Sequence, residues 1–173
     1  LKNDLVIVNP LKIKRWIIDE LEASMVLYFI GASRSSAAII DQQKKNTSSG
    51  NEKAIEAMHK IKQSAIDMKQ ALLKGDMKEF SRILGEGWEN KKKMADNITN
   101  SMIQEVFDLA ISAGAVAGKV SGAGGGGFVM LMVEPTRKKE LINALKKLNG
   151  FVMPFHFTEG GAHGWKIYST NKV

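Results

Sequence analysis

Lys119-Val120-Ser121-Gly122-Ala123-Gly124-Gly125-Gly126-Gly127-Phe128 is the most informative stretch of this 173-residue chain, with five glycines in the six positions 122–127. Glycine loses more conformational freedom on folding than any other residue, so a run of this density argues against a packing role alone. Five glycines offer backbone: consecutive amides that turn toward one concavity, and room for another chain or a phosphate to approach without a Cβ in the way. The competing reading is a flexible turn. Gly122, Gly124 and Gly127 satisfy G-x-G-x-x-G, yet the dinucleotide fingerprint needs a strand before the loop and a helix after it. The pattern here reads helix, loop, strand, which excludes that use. A Walker loop is excluded as well, because no Gly-Lys-Ser or Gly-Lys-Thr closes the run and Lys119 precedes the glycines.

Working outward, the sequence before the loop is helical in period. Ile55, Met58, Ile61, Ala65, Met68 and Leu72 recur three or four residues apart and predict a long amphipathic helix that ends at Gly75, with Ser49 and Glu52 spaced as its capping box. Asp76 with Glu79 opens a second helix, which carries Phe80, Ile83, Leu84 and Trp88 and fades into Lys91-Lys92-Lys93. A third is expected from Ser101, boxed with Gln104, to Gly114. After the loop, Phe128 to Val133 reads as a strand, Thr136 to Leu148 as a helix behind Pro135, and Phe151 to Phe157 and Trp165 to Tyr168 as strands about Gly160-Gly161. Near the start, Leu5 to Val8, Leu11 to Lys14 and Met25 to Ile30 read as strands, with a turn or short helix from Trp16 to Glu22. Ala37 to Gln43 reads as a serine-capped helix, and polar Lys44 to Asn51 as the only linker. The fold class expected is α+β over 1–173 as one domain: a ferredoxin-like, mainly antiparallel sheet with a helical layer on one face.

Composition narrows the function. With 44% hydrophobic and 25% charged residues the chain is globular, not a disordered tail. The net charge of +7 suits anionic partners: nucleic acid, a membrane surface or a phosphorylated metabolite. The absence of cysteine excludes disulfides, thiolate metal sites and a cysteine nucleophile, and makes the cytoplasm the default compartment. No apolar run reaches the roughly 18 residues of a membrane span. Leu1-Lys2-Asn3-Asp4 has neither an initiator methionine nor a signal-peptide core, so a piece of a longer chain is expected.

Lys119 to Phe128, following a helix that ends Ala113-Gly114-Ala115, resembles the third signature motif of the GHMP kinases, the superfamily of galactose, homoserine, mevalonate and phosphomevalonate kinases. The helical layer, the strand after the loop and the closing βαβ elements are similar to that family's C-terminal domain across nearly the whole chain. Tyr28 to Ser36, Gly87-Trp88 with Lys91, and Gly161-Ala162-His163-Gly164 are similar to its bacterial D-glycero-D-manno-heptose 7-phosphate kinase branch. The resemblance implies phosphoryl transfer from Mg-ATP to a sugar hydroxyl, at a site between two domains. Ser121, Gly122, Ala123, Gly124, Gly125, Gly126 and Gly127 are then the support of the nucleotide-phosphate loop. The family's own phosphate loop and its catalytic aspartate and lysine belong to an N-terminal domain and have no match here. The expected partners are ATP with Mg2+, a phosphorylated sugar and that N-terminal domain; a homo-oligomer is left open. Since phosphoryl transfer needs parts from both sides of the cleft, these residues alone are expected to lack useful kinase activity.

Other candidates carry two readings each. Ser33 and Arg34 follow an apolar strand and suit a phosphate grip, against a surface or capping role. Trp88 with Lys91 suits a sugar face and its phosphate, against a core tryptophan beside a solvated lysine run. Lys119 enters the loop, or caps the helix before it. His163 stands in a glycine-rich turn that presents side chains well, whereas His59 and His156 lack partners at metal-ligand spacing and read as structural. No metal site is expected from this chain. A Cβ at Gly124 or Gly125 is expected to harm turnover more than folding. The alternative function is a non-catalytic RNA-binding or regulatory ferredoxin-like module, suggested by the basic runs Lys91–Lys93 and Arg137–Lys139.

Overall fold

The computed structural model describes residues 8–31, 36–158 and 160–166. α1 (Arg15–Ser24) leads into β1 (Met25–Phe29), then α2 (Ser36–Ser48), α3 (Glu52–Lys74), α4 (Met77–Lys92) and α5 (Ser101–Ser112). β2 (Ala115–Val120) and β3 (Phe128–Val133) flank the glycine run. A 3-10 turn (Pro135–Arg137), α6 (Lys138–Leu145) and β4 (Phe151–Met153) follow. The strands form one sheet in the order β2-β3-β1-β4, and its three pairings are antiparallel. With α5 between β1 and β2, and α6 between β3 and β4, this is the ferredoxin-like βαββαβ arrangement, carrying α2 to α4 as an insertion after β1.

Helices pack on both faces of the sheet, which corrects the expectation of helices on one. Register puts Val26 and Tyr28 of β1 beside Leu131 and Val129 of β3, and this face is buried with Ile103, Val106 and Ala110 of α5 and Leu141 and Leu145 of α6. Met25 and Met132 point the other way and pack with Leu21 of α1, Ala71 of α3, and Phe80, Ile83 and Leu84 of α4. Alternating side chains along each strand therefore build two cores.

The helix boundaries follow their caps. Asp76 accepts from Glu79 N at 2.9 Å and opens α4 as expected. α3 is capped by Asn51, whose side chain accepts from Ala54 N at 3.1 Å, rather than by Ser49. Gly75, at φ +75°, ends it with its amide directed to the Ala71 and Leu72 carbonyls. The linker reading of Lys44 to Asn51 is overturned, because α2 continues to Ser48 and only a tight turn separates it from α3. Polar Lys44, Lys45 and Asn46, the first two exposed and the third half-buried, gave no periodic signal, although nothing in them opposes a helix.

β2 went unseen in the sequence because Ala115, Ala117 and Gly118 are small and lack strand character. Its Gly118 leaves no room for a side chain: a Cβ would lie 2.8 Å from Leu131 Cδ2 and 2.8 Å from Met130 O. The expected strand over Leu11 to Lys14 is irregular, as are Pro154 to Phe157 and Trp165; Leu5 to Ile7, Tyr168 and the capping serines before Ser36 lie outside the described residues. Among the described residues, no helix is long and apolar enough to cross a membrane.

Candidate functional site

The glycine run connects two neighbouring antiparallel strands, so its context is strand, loop, strand. This corrects the helix-first reading and again leaves no following helix for a dinucleotide. Ser121 N donates to Phe128 O at 2.7 Å and closes the neck. All five glycines take positive φ: +74° at Gly122, +109° at Gly124, +78° at Gly125, +154° at Gly126 and +84° at Gly127. For an L-residue a left-handed backbone costs about 1–2 kcal/mol, so the loop's path is available to glycine and strained for other residues. The flexible-turn reading gives way to a defined, anchored backbone.

The anchor is the segment between α4 and α5. Gly125 N donates to Ile98 O at 2.9 Å, and Asn100 Nδ2 donates to Gly125 O at 3.1 Å. Ile30 N, just past β1, donates to Gly127 O at 2.9 Å. α2 steadies the same segment, since Asn46 Nδ2 donates to Met94 O and Gln42 Nε2 to Asp96 Oδ2, both at 2.9 Å. Gly124, Gly125 and Gly126 are thereby buried, while Ser121 and Gly122 are exposed. Among the described residues, Ser121 and Gly125 are the loop positions whose amides have backbone acceptors.

Two lysines stand at the exposed end. The Lys91 ammonium, from the last turn of α4, donates to the Gly122 carbonyl. Burial lowers its pKa below the ordinary lysine value, and the nearby Lys119 ammonium lowers it further. Lys119 belongs to β2, opposite Met130, not to a helix end, so its helix-cap reading is withdrawn. Trp88 is also corrected as a sugar platform: it is 4% exposed and stacks on Phe107 with centroids 5.7 Å apart, so its ring serves the core. His163 is exposed in the 160–166 tail, and no described contact brings it to the loop. Ser33 and Arg34 lie outside the described residues. His156 contacts the Glu22 carboxylate at 3.1 Å and His59 is exposed on α3, so neither gains a site role.

The basic runs do not merge into a free stripe. Lys92 pairs with Glu89, Arg137 with Glu140, and Lys138 Nζ donates to the Glu22 carbonyl. Sequence reading missed Asn100 and Ile98, which position the loop. Asn100 directly before an apolar helix was a legible cap signal, masked by the Ser101–Gln104 spacing. It also missed a cleft of about 390 Å³ beside the β1 end of the loop, bounded by Tyr28, Ile30, Ser101, Glu105, Lys147 and Asn149. Among the described residues no three carboxylate, imidazole or thiol side chains converge as a metal cage.

Residues 68–149, from within α3 through the loop to just past α6, match the family model of the GHMP kinases C-terminal domain. The chain carries a GHMP kinase C-terminal domain. It is 47% identical over 165 residues to the D-glycero-alpha-D-manno-heptose 7-phosphate kinase of Campylobacter jejuni, covering 95% of this chain and 48% of that protein. Among solved structures, a D-glycero-D-manno-heptose 1-phosphate kinase from Bacteroides thetaiotaomicron matches with 60% identity and a TM-score of 0.67, over 98% of this chain and 44% of that one. A Leishmania major mevalonate kinase, at 17% identity and a TM-score of 0.64 over 71% of this chain and 37% of its own, shares the fold. The GHMP domain and its flanks thus span about half the length of the relatives they match. They include the glycine loop, its Ile98–Asn100 anchor and the lysines at its mouth.

Proposed function

We propose that this chain is the C-terminal half of an ATP-dependent sugar-phosphate kinase, acting on D-glycero-D-manno-heptose 7-phosphate to give the 1,7-bisphosphate. The observation that carries the reading is the 47% identity over 95% of the chain to a heptose 7-phosphate kinase. The anchored glycine loop supports it independently. In the proposed reaction the sugar's anomeric hydroxyl oxygen forms a bond to the γ-phosphorus, the bond from that phosphorus to ADP breaks, and the hydroxyl proton leaves to a base of the other half. In this reading the amides of Ser121 to Gly127 that are not already held by the Phe128 and Ile98 carbonyls meet the nucleotide phosphates, and Lys91 and Lys119 attract and orient them. Phosphoryl transfer rests on such positioning and charge compensation.

Ser33, Arg34 and His163 remain the proposed contacts to the sugar phosphate. Mg2+ would enter with ATP, where it neutralises phosphate charge; these residues build no cage for it, and no step here runs through it. The N-terminal half would supply the phosphate loop and the base, and the cytoplasm is the proposed compartment. The test is 31P NMR of the product made by the full-length polypeptide from ATP and heptose 7-phosphate. A new anomeric phosphate signal with the 7-phosphate retained supports the reading. Turnover of heptose 1-phosphate in its place would move the assignment to the activity named for the Bacteroides relative.

A further inference from the structure

The two faces of the sheet are not equally closed at the end next to the glycine loop. On one face Tyr28 and Val129 are 1% and 0% exposed beneath the α5 and α6 layer. On the other, α1, α3 and α4 cover Met25 and Met132, but among the described residues no helix covers the loop end: Phe29 and Phe128 are half-buried and Phe151 is 51% exposed. Register sets the three side by side, with Phe29 opposite Phe128 in β3 and opposite Phe151 in β4. Their ring centroids lie 5.0 and 5.2 Å apart. Lys119 occupies the same face of β2, because its partner Met130 alternates with Phe128 along β3. The open end is therefore a run of contacting aromatic rings with a basic flank, the composition of an interface rather than of a solvated sheet face.

We infer that the Phe29–Phe128–Phe151 face is where the other half of the full-length polypeptide docks. This rests on the two-domain reading proposed above and adds the surface on which the halves meet. The occupant follows from length: this chain covers 48% and 44% of two relatives that match almost all of it, which leaves about one domain of polypeptide to be seated. A domain on this face meets the loop at once. Phe128 directly follows Gly127, and Phe29 precedes Ile30, whose amide holds the Gly127 carbonyl. The Lys91 and Lys119 ammonium groups would then lie at the rim of the joint, where they compensate anionic groups bound between the halves.

Hydroxyl-radical footprinting of the full-length polypeptide tests this, read by mass spectrometry at Phe29, Phe128 and Phe151. Phe157 is the internal reference, since its 48% exposure nearly equals the 51% of Phe151 in this half. The expected result is oxidation of Phe151 several-fold slower than that of Phe157, with labelling of Phe29 and Phe128 restored in the Phe151→Asp variant. Equal labelling of Phe151 and Phe157 overturns the inference. Protection that disappears on dilution assigns the face to a second copy, and protection that needs an added single-stranded RNA oligonucleotide assigns it to nucleic acid; either overturns it too. The readout does not use kinase activity. A protected face in a polypeptide without sugar kinase activity keeps the docking surface and discards the function, and an active kinase with a labelled face does the reverse.

Discussion

Asn100 uses both ends of its side-chain amide: Oδ1 accepts from Ile103 N at 2.9 Å and opens α5, while Nδ2 donates to the Gly125 carbonyl at 3.1 Å. One residue thus ties the start of a core helix to the middle of the glycine loop. Asn100→Ala removes both and is expected to lower stability by about 1–2 kcal/mol, chiefly through the lost cap. Asn100→Ser keeps a cap acceptor for Ile103 N and loses only the donor to the loop. Chemical denaturation should separate the two variants, with Ser near wild type, whereas both should reduce turnover of the full-length polypeptide. Equal stability loss in the two would show that the bond to Gly125 matters more than the cap.

The loop glycines divide by surroundings. A Cβ on Gly124 would lie 2.7 Å from the Ile98 carbonyl at a φ of +109°, so Gly124→Ala is expected to unseat the loop and destabilise the fold. This revises the sequence-based expectation that a Cβ there harms turnover more than folding. Gly122 has nothing within 4 Å of the added atom, and Gly122→Ala should cost only the roughly 1–2 kcal/mol of its left-handed backbone. Thermal melts of the two variants check this; a larger loss for Gly122→Ala would contradict the packing described.

The parts of this architecture legible in the sequence are those written in local pattern. The density of Gly122 to Gly127 announced a backbone-defined loop, Asp76 with Glu79 announced α4, and the order of apolar segments announced a ferredoxin-like sheet. What stayed hidden depends on contacts far apart in the chain. Ala115 to Val120 is a strand because Met130 and Leu131 pair with it, not because its residues favour one. Trp88 carried both a sugar-face and a core reading until Phe107, from another helix, was placed against it. The Ile98–Asn100 anchor likewise requires knowing that the α4–α5 connection passes under the loop.

Tyr28 is 1% exposed, and its hydroxyl accepts from Gly150 N at 2.7 Å, fixing the turn into β4. Tyr28→Phe leaves that part-buried amide without its partner and should destabilise by about 1–3 kcal/mol. Equilibrium unfolding in urea measures it. An unchanged midpoint would mean that the amide finds another acceptor.

Lys91 gives a pH prediction with a definite sign. Its pKa is lowered by burial and then by Lys119, so on folding the ammonium form is disfavoured. Between the depressed folded value and the ordinary lysine value, the unfolded chain binds more protons, and this group makes stability rise with pH in that window. Activity that needs the ammonium should fall as pH rises through the depressed value, earlier than for an unperturbed lysine. Lys91→Arg stays charged and should carry the alkaline limb of the kcat/KM profile to higher pH. Superimposable profiles for wild type and Lys91→Arg would remove Lys91 from the phosphate site.

The most direct measurement is ADP release by the full-length polypeptide in Mg-ATP, with and without heptose 7-phosphate, alongside its Gly122→Val variant. The account predicts release that depends on the sugar phosphate and is largely lost in the variant, which still folds with a melting temperature lowered by the strain of its left-handed backbone. Sugar-independent release, or a folded Gly122→Val variant with full turnover, would contradict the assignment of the glycine loop to phosphoryl transfer.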